Sequence, residues 1–127
     1  VTTAPRFRHA RPVDGFDDHG QPIVNRPPAT RDIFGPLLTY LESAPVVLAA
    51  RSCTADIFVP SDIDVPLNFR TDGVWIWPGS VPHYLRKHGT LPEPELVTHA
   101  RSRRFSIPEL SLETLRLAAR DAAQTNY

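Results

Sequence analysis

A chain of 127 residues is long enough to bury one core and too short for two ordinary domains. Its 14 Lys and Arg balance its 14 Asp and Glu, so no net field steers it to nucleic acid or an anionic membrane, and neither is expected as a partner. The one cysteine, Cys53, cannot close an internal disulfide, so nothing demands an oxidising compartment.

Residues 1–31 read as an extended, Arg/Pro-rich N-terminal arm whose only large apolar side chains besides valine are Phe7, Phe16 and Ile23. Lys87 is the only lysine of the chain. With many prolines and alanines and no methionine, this looks like GC-rich coding bias, so the arginines need not all be functional. Asp17-Asp18-His19-Gly20 predicts a turn, and residues 13–24 either a short hairpin or an arm laid over the body. Val1 to Val13 lacks the apolar stretch of a signal peptide, and the longest apolar run, Ala44 to Ala50, is far below a membrane span. A soluble, cytoplasmic protein is expected.

Residues 32–127 read as a single α+β domain. Ile33, Phe34, Leu37, Leu38 and Leu41 form a helical stripe ending at Ser43-Ala44-Pro45, with Pro36 tolerated in the first turn. Val46 to Ala50 predicts a buried strand, Ile57-Phe58-Val59 a second strand closed by Pro60, and residues 61–64 a polar connector. From Val65 to Pro78 two apolar-alternating runs flank Asp72-Gly73, a signal for a hairpin with a two-residue type I′ loop. Counting outward pairs Thr71 with Val74, Arg70 with Trp75, Phe69 with Ile76 and Asn68 with Trp77. One hairpin face is then apolar (Leu67, Phe69, Val74, Ile76), and the other carries both tryptophans with Arg70 and Asn68.

Three helices are expected after the hairpin. Val81 to His88 follows Ser80 as a cap and ends at a left-handed Gly89. A second starts around Pro92–Pro94 and runs to about Arg103, with Thr90 and Glu93 at capping-box spacing; a third is capped by Ser111, carries Leu112, Leu115, Ala119 and Ala122, and ends near Gln124. The expected class is α+β, a single mainly antiparallel sheet of about four strands with one helix before and about three after it.

Catalytic and metal chemistry find little purchase. The histidines His9, His19, His83, His88 and His99 form no tight pair, and His83 and His88, five apart, diverge around a helix. Asp62-x-Asp64 and Asp17-Asp18 lack the glycine and terminal glutamate of a calcium loop. Neither a metal nor another cofactor is expected. Cys53, in Arg51-Ser52-Cys53-Thr54, has no motif-fixed base, and Asp56, Asp62, Asp64, Glu93 and Glu95 read as solvated acids. No glycine-rich phosphate loop is present, and Arg101-Ser102-Arg103-Arg104, with His99 and Arg86-Lys87, reads as helix-end charge.

The tryptophan face is the best binding candidate: Arg70, Trp75, Trp77 and Asn68, with Tyr84 beside them, offer the side-chain types of interface hot spots. The competing expectation is that helices cover this face. The run Phe69-Arg70-Thr71-Asp72-Gly73-Val74-Trp75-Ile76-Trp77-Pro78, followed by Tyr84-Leu85, His88-Gly89 and Pro94-Glu95-Leu96, resembles a pattern in small uncharacterised proteins of actinobacteria, over about residues 45–100. The resemblance carries over no catalytic residue. Because some small proteins of that kind neutralise polymorphic toxins, it suggests an immunity-type partner. Two functions are therefore expected: a non-enzymatic protein that binds a protein partner or itself, or a small enzyme or ligand binder with a pocket between the Trp hairpin and the C-terminal helices.

Overall fold

Three consecutive strands set the frame of the computed structural model, which describes residues 7–124. Strands β4 (Val46–Thr54), β5 (Val65–Thr71) and β6 (Trp75–Pro78) run antiparallel in sequence order. A two-residue strand from the arm, β1 (Arg8–His9), adds parallel to β6, giving the order β1-β6-β5-β4. A small antiparallel hairpin, β2 (Gly15–Phe16) with β3 (Pro22–Ile23), lies between β1 and the first helix in sequence. The four helices are α1 (Arg31–Ser43), α2 (Ser80–His88), α3 (Pro94–Ser102) and α4 (Leu112–Gln124). One helix before the main strands and three after them is the expected α+β arrangement.

Alternation along β6 divides the core between the two sheet faces. Trp75 and Trp77 point to one side, against Leu37, Tyr40 and Leu41 of α1, Val81 and Leu85 of α2, and Leu96 and Ala100 of α3. Ile76 points to the other, where Phe7, Phe69 and Val47 meet Leu117, Ala118 and Ala122 of α4. The α4 stripe differs from expectation: Ala118 and Ala122 are its buried residues, while Leu112 is 62% exposed.

The hairpin register is corrected by two residues. Thr71 faces Ile76, Arg70 faces Trp77 and Phe69 faces Pro78, so the strands are joined through Asp72–Val74 rather than Asp72-Gly73 alone. The cause is the Asp72 side chain, whose Oδ1 accepts from the backbone N–H of Val74 at 2.9 Å and of Trp75 at 2.7 Å, winding the chain through a longer turn. Gly73 keeps positive φ (+96°), the conformation that calls for glycine. The expected strand at Ile57–Val59 is also absent. Asp56 Oδ1 accepts from the backbone of Phe58 (2.8 Å) and Val59 (3.1 Å), and the segment turns there instead.

Other boundaries follow local chemistry. Gly89 ends α2 at φ +70°, its N–H bonded to the Leu85 carbonyl, and Ser111 Oγ accepts from Thr114 N at 3.1 Å to start α4. Ser80 is the first residue of α2 rather than its cap, which is Gly79, and Pro36 falls in the second turn of α1 because that helix begins at Arg31. The Asp17–Gly20 turn forms as expected, closed by Gly20 N on Asp17 O at 3.0 Å.

Besides the pairing of β1 and the burial of Phe7 and Ala10, a buried arginine ties residues 7–30 to the body. Arg26, 1% exposed, gives Nη1 to the carbonyls of Pro12 and Leu91 and Nη2 to that of Arg11, each at 3.0 Å, with Asp14 Oδ1 3.3 Å from Nε. The guanidinium fork satisfies three carbonyls from two separate segments, a task that a lysine point charge performs poorly. The parts of the arm at residues 1–6 and of the C-terminus at 125–127 lie outside the described residues.

Candidate functional site

The residues expected to bind are divided: Asn68 and Arg70 line one surface cleft, whereas Trp75, Trp77 and Tyr84 are buried. Trp75 and Trp77 are 2% and 0% exposed, sealed beneath α1, α2 and α3. Trp77 donates its indole N–H to the Leu41 carbonyl at 3.1 Å and stacks on Tyr40. Arg70, expected over Trp75, instead gives Nη1 to the Ala44 carbonyl at 2.6 Å, closing the C-terminal end of α1. The cation over Trp75 is Arg8, 4.3 Å from the ring centroid and supplied by β1. Tyr84 is buried, and its hydroxyl accepts from Ile57 N at 3.2 Å.

Two buried aspartates organise the polar chemistry. Asp72 receives the phenolic O–H of Tyr40 on Oδ2 at 2.5 Å, and its backbone carbonyl accepts from Arg103 Nη1 at 2.7 Å. His99 Nε2 lies 3.3 Å from the same Oδ2, within ion-pair range but off hydrogen-bond geometry. Burial, and then the Asp72 hydrogen bond, push the Tyr40 phenol above its ordinary range, so it stays neutral and donating. Arg103 of the expected basic cluster is thus engaged at the hairpin turn.

The second, Asp56, gathers groups that sequence reasoning had scattered. Its Oδ2 lies 3.1 Å from His83 Nε2, 2.8 Å from His88 Nε2 and 3.4 Å from Lys87 Nζ. Lys87 in turn donates to Asp62 at 2.7 Å and Asp64 at 2.8 Å, and Asp64 Oδ1 stands 3.4 Å from His83 Nε2. Burial alone would raise the Asp56 carboxyl, but hydrogen bonds from His88, His83 and the Phe58 and Val59 backbone outweigh it and hold the group well below its ordinary range. Hydrogen bonds to Asp62 and Asp64 hold the Lys87 ammonium above its own. The imidazoles are wedged by aromatic rings: Phe58 meets His88 at 5.0 Å and Tyr84 meets His83 at 5.2 Å between centroids. The chain signal for this site was the one lysine between two histidines on α2. A spacing of five turns His83 and His88 apart around a helix, yet both side chains reach one oxygen of Asp56.

Two concavities and the long edge strand β4 mark the surface of the described residues. A cleft of about 250 Å³ between β5 and α2 is lined by Asn68, Arg70, His83, Arg86 and Glu42, with Arg86 paired to Glu42. Asn68 Oδ1 is buried without a hydrogen-bond partner among the described residues. On the opposite sheet face, beyond the reach of α4, a mostly apolar groove of about 800 Å³ runs past Phe16, Thr54, Val65, Leu67, Phe69 and Tyr84. Strand β4 is the sheet's last strand, with no neighbour on its outer side among the described residues, and every residue of it except Val47 is exposed. Cys53 lies on this strand, exposed and unpaired.

No protein-family model, curated protein or solved structure matches the chain. Among the described residues no helix is long and apolar enough to cross a membrane.

Proposed function

We propose that this cytoplasmic protein acts by binding a protein partner, which adds an extended segment to the open edge of β4. The observation that carries this is the exposed nine-residue edge strand itself, whose outward backbone groups are a template for a fifth strand. Val46 and Leu48, 44% and 37% exposed, are its apolar anchors, and Arg51 is the one charged side chain along it. The matching segment is therefore extended, with apolar side chains on both faces where it passes Val46 and Leu48, which the register shift turns to opposite sides, and acidic where it passes Arg51. Register shifts between Val46 and Leu48 and between Ala49 and Cys53 bend the strand, a device that limits indiscriminate edge pairing. Neutralising a toxin is the sharpest form of this function, since it requires only a complementary surface.

The test is capture from the native host, quantified against variants. Leu48→Lys should fold as wild type and lose at least about tenfold in partner recovery, because a charge replaces an apolar anchor. A partner retained by Leu48→Lys would count against the edge. A second reading, a small enzyme or ligand-binding protein, is favoured by the cleft beside α2, where the unpaired Asn68 Oδ1, Arg70 and Arg86 converge. Loss of the partner from Arg70→Ala, with Leu48→Lys unaffected, would move the function there.

A further inference from the structure

The geometry points to a divalent transition-metal site of the zinc type, formed by Asp56 Oδ2, Asp64 Oδ1 and His83 Nε2 where the N-terminal half of α2 meets the loop after β4. The three donor atoms lie within 4.8 Å of one another. Two of their separations, 3.1 Å from His83 to Asp56 and 3.4 Å from His83 to Asp64, match the edge of about 3.3 Å expected for a tetrahedron with bonds near 2.0 Å. Mixed imidazole and carboxylate donors suit zinc, cobalt and nickel better than the all-oxygen sets that calcium and magnesium prefer.

The donors are also held for the task. Each carboxylate has one oxygen anchored and the other turned inward: Asp56 Oδ1 is fixed by two backbone N–H groups, and Asp64 Oδ2 by Lys87. His83 stacks edge-on against Tyr84, which restricts its ring. Outer partners of this kind orient ligands and raise affinity. The Asp64 side chain is 46% exposed, so a fourth position opens to solvent.

His88 Nε2 stands 2.8 Å from Asp56 Oδ2 and would share that oxygen with the ion, and Lys87 is the charged competitor. Asp56, Asp62 and Asp64 face this one fixed cation, which leaves two negative charges uncompensated when the imidazoles are neutral. Its ammonium lies 3.4 Å from Asp56 Oδ2, on the edge of the space that the ion would use, and a bound ion would displace it toward Asp62, to which it already donates. Removing that ammonium should therefore tighten metal binding, the opposite of what loss of a ligand does.

The experiment titrates chelator-treated full chain with Co²⁺, followed by its visible absorption, and with Zn²⁺, followed by the melting temperature. Wild type should show the intense visible bands of four-coordinate Co²⁺ and a Zn²⁺-dependent rise in melting temperature. Asp64→Asn, at an exposed position, should fold as wild type and bind at least about tenfold more weakly, and Lys87→Gln should bind more tightly. Absence of Co²⁺ bands and of a Zn²⁺ shift in both wild type and Lys87→Gln would overturn the site. So would Asp64→Asn and His83→Gln binding Co²⁺ as wild type does, since the metal would then sit elsewhere.

Discussion

The two faces of the sheet are finished to different standards. On one, three helices close over Trp75 and Trp77 until neither is more than 2% exposed. On the other, the alanine-rich α4 covers part of the surface and leaves an apolar groove and the open strand β4. Both indoles and Tyr40 lie under three helices on the sealed face, whereas Phe7 and Phe69 on the other are met by one helix through Leu117, Ala118 and Ala122, so the first is a closed core and the second keeps surface able to accept a neighbour. Aromatic residues on a hairpin do not by themselves mark an interface: what lies over them decides.

The largest effect should come from the sealed face. Trp77→Ala removes an indole that is wholly buried, stacked and hydrogen-bonded, and should lower stability by about 3–5 kcal/mol in denaturant unfolding. A cost below about 1 kcal/mol would show that the face collapses readily and is no core. Gly73→Val should cost less, about 1–3 kcal/mol: φ of +96° strains any β-branched residue, and a Cβ there would stand 2.9 Å from Leu110 Cδ2. A melting temperature within a degree of wild type would contradict this turn geometry.

A smaller, local effect is expected in acid. A backbone hydrogen bond from Asn25 and the charge of Arg26 lower the Asp14 carboxyl below its ordinary 3.8, although burial opposes them. A depressed carboxylate contributes stability that is complete above that value and lost as pH falls through the folded one. Below about pH 3.8 the strap around Arg26 should therefore loosen before the sheet does. Amide exchange that accelerates at residues 13–26 ahead of residues 65–78 would bear this out; simultaneous acceleration would contradict it.

Much of the architecture was legible. The helices, the hairpin and the α+β class follow from apolar periodicity, and the tryptophans keep their face although the register moved, because a slip of two residues preserves alternation. Strand β4, expected to be buried, is an exposed edge; the other two departures among the strands share a cause. Asp56 and Asp72 each bond two following backbone N–H groups, which replaces a strand at Ile57–Val59 and lengthens the loop after Thr71. Propensity assigns aspartate to turns without saying which backbone groups its oxygens will take. The candidate sites were less legible. The parallel pairing of β1 rests on two residues, and Asp56 meets His83, 27 residues further along the chain, and His88, 32 residues further along, so no local spacing encodes the cluster.

Hydrogen exchange of the chain, alone and with its captured partner, tests most directly whether function lies at the open edge. New protection should appear across residues 46–54, while Trp75–Trp77, already slow in the free protein, should not change. Protection gained at residues 68–70 and 80–88 with β4 unaltered would place the interaction in the cleft beside α2 and contradict this account.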